Sequence, residues 1–146
     1  MVRRHFVKDA PPPPRGATYA HASEAAGWLH VTGQLPSDPA APTAALPEGI
    51  DAQAEQSFRN LLAIVAAAGY ALRDTVFVRI YLADFDRDFD GLNQVYDRFF
   101  SDKTAAPSRT TVGVARLGRG ALVEIDLVLY KEPGALESAA NRTGDW

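Results

Sequence analysis

The sequence predicts an α+β domain, a mixed β-sheet with two helices packed on one face. Three observations lead there. Apolar and polar residues alternate with a period of two at both ends and in the middle of the chain, two stretches carry apolar residues at helical spacing, and the resulting order is β-β-α-β-α-β-β without an internal repeat. The length of 146 residues, with 47% hydrophobic and 23% charged residues, suits one globular domain rather than a disordered chain.

Residues 1–17 read as a proline-rich N-terminal arm. The run Pro11–Pro14 offers no backbone N–H and favours an extended polyproline conformation, so it reads more readily as a stiff connector than as a recognition motif. The domain proper is expected over residues 18–131. Thr18–Ala22 and Gly27–Gly33 suggest two short strands around a turn, with Trp28, Leu29 and Val31 giving β-compatible bulk. Pro36, Pro39, Pro42 and Pro47 then make Gln34–Gly49 a long surface loop. Asp51 offers an N-cap to a helix marked by Phe58, Leu61, Leu62 and Val65, which Gly69 closes in the left-handed conformation. In Thr75–Leu82 the residues Val76, Val78, Ile80 and Leu82 share one face of a strand. After a turn at 84–88, Phe89, Leu92, Tyr96 and Phe99 form the stripe of a second helix, ending before Pro107. Two strand-like runs, SRTTVGVA and ALVEIDLVLY, flank the glycine-containing RLGRG, and residues 132–146 read as a C-terminal tail.

Composition narrows the chemistry. Without cysteine there are no disulfides, thiolate metal sites or thiol nucleophiles. His5, His21 and His30 lack metal-ligand spacing, so no metal is expected, and Gly118–Gly120 is too short for a phosphate loop, so no nucleotide cofactor is expected. A formal charge of −3 counts against a nucleic-acid partner. The N-terminus has no apolar run behind its basic residues, and no segment approaches the roughly 18 apolar residues of a membrane span; a cytoplasmic protein without a membrane partner is the expectation.

Two charged residues stand out. Arg109 lies just inside a strand on the same face as Thr111, where a planar guanidinium would match a carboxylate with two parallel hydrogen bonds. A strand-end arginine is, however, more often a surface charge or a structural ion pair. Glu124 lies within an otherwise apolar strand, on the face of Leu122, Asp126, Val128 and Tyr130, where partial burial would raise its pKa into the range of a general acid/base. The plainer alternative is an acid facing solvent or pairing with an arginine. Thr32 and Gly33 end a strand where main-chain groups and a hydroxyl could meet a small ligand, while Tyr19, Asn93 and Tyr96 read as core, interface or solvated residues.

Four segments taken in order carry more information: WLHVTGQLPSDP, the helix and strand from QAEQSFRNLL to LADFDRDF, NQVYDRFF, and APSRTTVGVARLGRGALVEIDL. Together they resemble the RidA/YjgF family from about Thr18 to Lys131. The resemblance implies a chorismate-mutase-like fold and a homotrimer with a cleft between each pair of subunits. It implies a hydrolytic deaminase, free of cofactors, that converts reactive 2-enamine or 2-imino acids such as 2-aminoacrylate to 2-keto acids and ammonia. Position by position, Arg109 is similar to the family's carboxylate-binding arginine and Glu124 to its water-orienting glutamate. Tyr19, Thr32, Gly33, Asn93 and Thr111 are similar to its substrate-binding, cleft-lining positions, with Tyr19 a candidate contribution from the neighbouring subunit. Three departures bear on the cleft: Thr111 stands where the family often has cysteine, Thr18-Tyr19-Ala20 replaces Pro-Tyr-Ser, and Thr32-Gly33 replaces Ser-Gly. The alternatives are a non-enzymatic ligand-binding or regulatory trimer of the same fold and, from another class, a ribonuclease or translation inhibitor.

Overall fold

Six strands form one sheet in the computed structural model, which describes residues 1–134. The strands are β1 (Arg3–His5), β2 (Ala22–Ala25), β3 (Trp28–Gln34), β4 (Thr75–Leu82), β5 (Ser108–Gly113) and β6 (Val123–Tyr130); α1 spans Ile50–Ala67 and α2 Phe85–Phe99. Their order across the sheet is β1-β2-β3-β6-β4-β5. Every pairing is antiparallel except β4 with β5, which the crossover through α2 makes parallel. The sheet is therefore mixed, as expected. Most of the tail expected at 132–146 lies outside the described residues.

Period-two alternation decides which side of the sheet is covered. Leu29 and Val31 of β3, Val78, Ile80 and Leu82 of β4, and Val123, Ile125, Leu127 and Leu129 of β6 are all buried, in one cluster with Phe58, Leu61, Ile64 and Val65 of α1 and Leu92, Val95 and Tyr96 of α2. Fully burying an aliphatic or aromatic side chain of this size contributes about 1.5–3 kcal/mol, so this helix-covered face is where the fold is held. Phe58 is its centre, stacked on Phe99 with ring centroids 4.5 Å apart. The other face carries Trp28, His30, Phe77, Arg79, Tyr81, Val112, Val128 and Tyr130, and no element among the described residues covers it. Trp28 is 42% and Val112 38% exposed there.

The elements depart from the sequence reading in five places. The first hairpin is shifted: β2 runs from Ala22 to Ala25, and the turn is Ala26-Gly27, both with positive φ (49° and 83°), a geometry suited to a tight two-residue hairpin. A Cβ on Gly27 would overlap the Lys131 carbonyl, so glycine is required. Thr18–Ala20 consequently form an irregular loop. The expected N-terminal arm contributes β1, whose Arg4 and His5 pair with Ser23 and Ala22, and His21 fastens the segment after it. The His21 Nδ1 accepts from the Val7 N–H and its Nε2 donates to the Pro11 carbonyl, both at 2.9 Å, which fixes a neutral ring with the proton on Nε2. At α1 the cap position is Gly49 rather than Asp51, which falls in the first turn and acts there on the helix dipole. The C-terminus follows expectation: Gly69 has φ +83°, and the N–H groups of Gly69 and Tyr70 return to the carbonyls of Ala66 and Val65. Finally, α2 starts within the expected turn, because the Asp84 carboxylate accepts from the Arg87 N–H at 3.1 Å and caps the helix. Val76, expected on the buried face of β4, is 40% exposed, since a bulge between Thr75 and Phe77 shifts the register there.

Candidate functional site

The expected site residues separate into two groups on opposite faces of the sheet. Arg109 pairs with Val78 and Thr111 with Ile80, both core residues, so the two side chains point to the helix-covered face at the free edge formed by β5. Glu124 pairs with Tyr81, on the uncovered face. The sheet itself stands between Arg109 and Glu124 of one copy.

On the first side, β5 and α2 position the arginine. Its Nη2 donates to Asn93 Oδ1 at 2.8 Å, and its Cζ lies 4.6 Å from the Tyr96 ring centroid and 5.9 Å from that of Phe89. This stacking fixes the guanidinium plane while leaving most of its N–H donors uncommitted. Burial pushes the Tyr96 phenol up, against the pull of the Arg109 charge. The Thr111 hydroxyl is buried and has no hydrogen-bond partner among the described residues. An orphan hydroxyl beside an anchored guanidinium is an unfilled polar site, for such groups are costly unless a ligand or partner completes them.

On the second side, Glu124, Gly33 and Tyr19 meet. A Cβ on Gly33 would overlap Glu124 Oε1 and lie 3.1 Å from its Cδ, so the glycine is what lets the carboxylate lie against the main chain. A bulge of β3 between Val31 and Gln34 presents Gly33 there. Burial first, then the neighbouring Asp126 charge, raises the Glu124 carboxyl above the ordinary carboxylate range. Burial, then the Glu124 charge, raises the Tyr19 phenol. Thr32 is spent on scaffolding: its hydroxyl donates to the Ala20 carbonyl at 2.7 Å, tying the loop that carries Tyr19 to β3. Glu124, Gly33 and Tyr19 line one end of a cavity of about 590 Å³, whose other walls are Pro11–Pro14, Arg15, Leu35, Ser37, Pro42, Thr43, Gly118 and Arg119.

Comparison with known proteins gives the family. The family model described as Endoribonuclease L-PSP matches residues 9–131. The chain belongs to this family, which takes in the RidA (YjgF) and RutC proteins. A RutC family protein of Pyrococcus horikoshii is 38% identical over 128 residues, 87% of this chain and 96% of that one. The 2-iminobutanoate/2-iminopropanoate deaminase of Salmonella typhimurium is 36% identical over 114 residues, 77% of this chain and 87% of that one. The crystal structure of RidA from an Antarctic Psychrobacter superposes with a TM-score of 0.79 at 38% identity, covering 88% of this chain and 99% of that one.

The sheet thus carries the expected site residues in two groups, one on each face. Sequence reasoning missed the surroundings of both. The aromatic cradle of Arg109 was legible only as helix stripe, because Phe89 and Tyr96 also satisfy core periodicity. The walls contributed by the proline run and Arg119 carried no signal, since long-range loop contacts leave no local pattern. Among the described residues no cluster of His, Asp or Glu is arranged to hold a metal, and no helix is long and apolar enough to cross a membrane.

Proposed function

We propose that this Rid protein is an imine deaminase that works as a homotrimer, hydrolysing 2-imino acids, and the enamines in equilibrium with them, to 2-keto acids and ammonia in clefts between copies. The observation that carries this reading is the separation of the half-sites. Arg109 with Asn93 and Thr111 on one face, and Glu124 with Gly33 and Tyr19 on the other, become one site only when the β5 edge of one copy meets the uncovered face of the next. That face bears Trp28 and Tyr130, with ring centroids 4.8 Å apart, and at its β5 end the exposed Val112. Large apolar side chains left uncovered on a small domain favour burial against another copy.

The chemistry follows from the groups available. Arg109 holds the substrate carboxylate, its plane fixed by the two rings beneath it. The Thr111 hydroxyl bonds the imine nitrogen. Glu124 takes a proton from a water as that water adds to the C=N carbon, giving a carbinolamine. That proton passes to the nitrogen and completes the carbinolamine's NH2 group; Glu124 then moves the carbinol O–H proton to the nitrogen, the C–N bond breaks as the C=O forms, and ammonia leaves with a keto acid behind it. The raised Glu124 pKa suits a group that must first accept and then donate. Because the imine carbon is already electrophilic, orientation and proton transfer suffice. The Salmonella deaminase supports the same assignment. An endoribonuclease reading has little support in an acidic chain of net charge −3.

The test generates imino acids with an amino-acid oxidase and follows their loss with and without the protein. Arg109→Ala is expected to lower kcat/KM by about 100-fold or more, two charge-assisted hydrogen bonds being lost. Glu124→Ala is expected to lower kcat by about 100-fold or more. Wild-type protein that binds keto acids through Arg109 yet accelerates no imine hydrolysis would make it a ligand-binding member of the family.

A further inference from the structure

The cavity beside Glu124 extends well beyond what a three-carbon imino acid needs. At about 590 Å³ it falls in the range of roughly 300–1,000 Å³ typical of pockets for much larger ligands. Its walls also have a definite charge. Two guanidinium groups, Arg15 and Arg119, line it against a single carboxylate, Glu124. Neither arginine forms an ion pair among the described residues.

Arg119 is held in place rather than waving in solvent. It sits between two glycines with its own backbone at φ +60°, a left-handed conformation unusual for a side-chain-bearing residue. Its Nη1 donates to Ser37 Oγ at 2.7 Å and its Nη2 to the Ala44 carbonyl. A guanidinium has five N–H donors, so about three stay uncommitted. The opposite wall is equally fixed: four consecutive prolines have little freedom to move, and His21 clamps Pro11 to the sheet. A cation immobilised before binding loses less entropy when it meets an anion.

We propose that this cavity is a subsite for the side chain of the substrate, and that Arg119, assisted by Arg15, selects imino acids whose side chain ends in a second carboxylate. The inference rests on the deaminase reading for the reaction but not for the binding. Arg109 of a neighbouring copy takes the carboxylate next to the imine carbon, and Arg119 takes the distal one. Chains ending in a methyl or amide group leave the two guanidiniums without a counter-charge, and the difference appears as selectivity.

The experiment compares imino acids of matched length ending in a carboxylate, an amide or a methyl group, each produced in situ by an oxidase of suitable specificity. Calorimetric binding of the corresponding 2-keto acids runs in parallel. The wild type is expected to prefer the dicarboxylic substrate by about 10-fold or more in kcat/KM, and the dicarboxylic keto acid by a similar factor in Kd. Arg119→Gln is expected to bring both ratios close to one, Arg119→Lys to keep most of them, and Arg15→Gln to reduce them. Arg15 has no side-chain hydrogen bond among the described residues, so that variant reads charge alone. If Arg119→Gln lowers all substrates equally and leaves the ratios untouched, Arg119 merely tethers the 37–44 loop and the inference falls. If no imine is hydrolysed but binding still follows the second carboxylate through Arg119, the deaminase reading fails and this one stands. Equal affinity for all three keto acids overturns it in either case.

Discussion

Mixing two inactive variants should restore activity. Arg109 and Glu124 project from opposite faces of one sheet, as their pairings with Val78 and Tyr81 require, so in the proposed trimer each cleft takes its arginine from one copy and its glutamate from the next. Arg109→Ala and Glu124→Ala homo-oligomers then have no intact cleft. When the two are co-expressed in equal amounts with different tags and the mixed assemblies purified, half of the arginine half-sites and half of the glutamate half-sites survive. In a closed trimer that holds both chains, one cleft of the three joins an intact arginine to an intact glutamate, so about one third of the clefts are whole. If each parent variant retains about 1% of wild-type activity, the mixture should exceed both by roughly 30-fold. A companion mixture of wild type with the double variant sharpens the result: in the mixed trimers composite clefts leave about one sixth of full activity, whereas sites contained within single copies would leave about one half. The assay is imine loss on the doubly tag-purified material, with intact-mass spectra confirming that both chains are present. Verified mixed assemblies that stay at the parental background would refute the composite site.

Three further outcomes follow from single contacts. Gly33→Ala is expected to rotate the Glu124 carboxylate away, since the added Cβ meets only the end of that flexible side chain and Gly33 needs no positive φ. Imine hydrolysis should fall by about 10- to 100-fold with little change in the thermal midpoint, and a stable variant of full activity would show that Glu124 placement is unimportant. Glu124→Gln is expected to stabilise the fold at pH 8. The folded-state pKa of Glu124 is raised, so its contribution is fully present below the unfolded value of about 4.3 and is lost as pH rises through the folded one. Urea titrations should give the glutamine variant an advantage at pH 8 that disappears near pH 4, and a constant gap would contradict the burial argument. His21→Ala removes the two hydrogen bonds that clamp Val7 and Pro11. At about 1 kcal/mol each it should cost roughly 2 kcal/mol in denaturant unfolding, and an unchanged midpoint would mean that the arm is held by other contacts.

Elements whose residues repeat regularly were legible in the sequence. The Val78, Ile80 and Leu82 face of β4, the Phe58 and Leu61 face of α1 and the Gly69 stop all lie where periodicity and turn chemistry put them. Elements without such a pattern were not. β1 is three residues, Arg-Arg-His, with no apolar alternation; it is a strand because β2 offers it an edge, which is tertiary information. Tyr19 looked like a strand residue because Thr and Tyr favour strands. The positive-φ turn at Ala26-Gly27 instead dictates where the hairpin pairs, and leaves Tyr19 on the loop beside Glu124.

The two half-sites show where local reading ends. Alternation alone correctly put Arg109 with Thr111 and Glu124 with Asp126 and Tyr130, each pair on one face of its own strand. What alternation could not give is how those faces relate, because β5 and β6 are consecutive in the chain but separated in the sheet by β4. Arg109 stands opposite Val78, and Glu124 opposite Tyr81. Val78 and Tyr81 are an odd number of residues apart on one regular strand, so their partners must face opposite ways. A slip of one residue in either pairing would put arginine and glutamate on the same face, and would also turn the apolar set of that strand out of the core. The packing that buries Ile80, Ile125 and Leu127 therefore fixes the register, and that register forbids Arg109 and Glu124 from meeting on one face of a single sheet. If both act on one small substrate, a second copy has to supply one of them, so the demand for assembly is written into the hydrophobic pattern of the core.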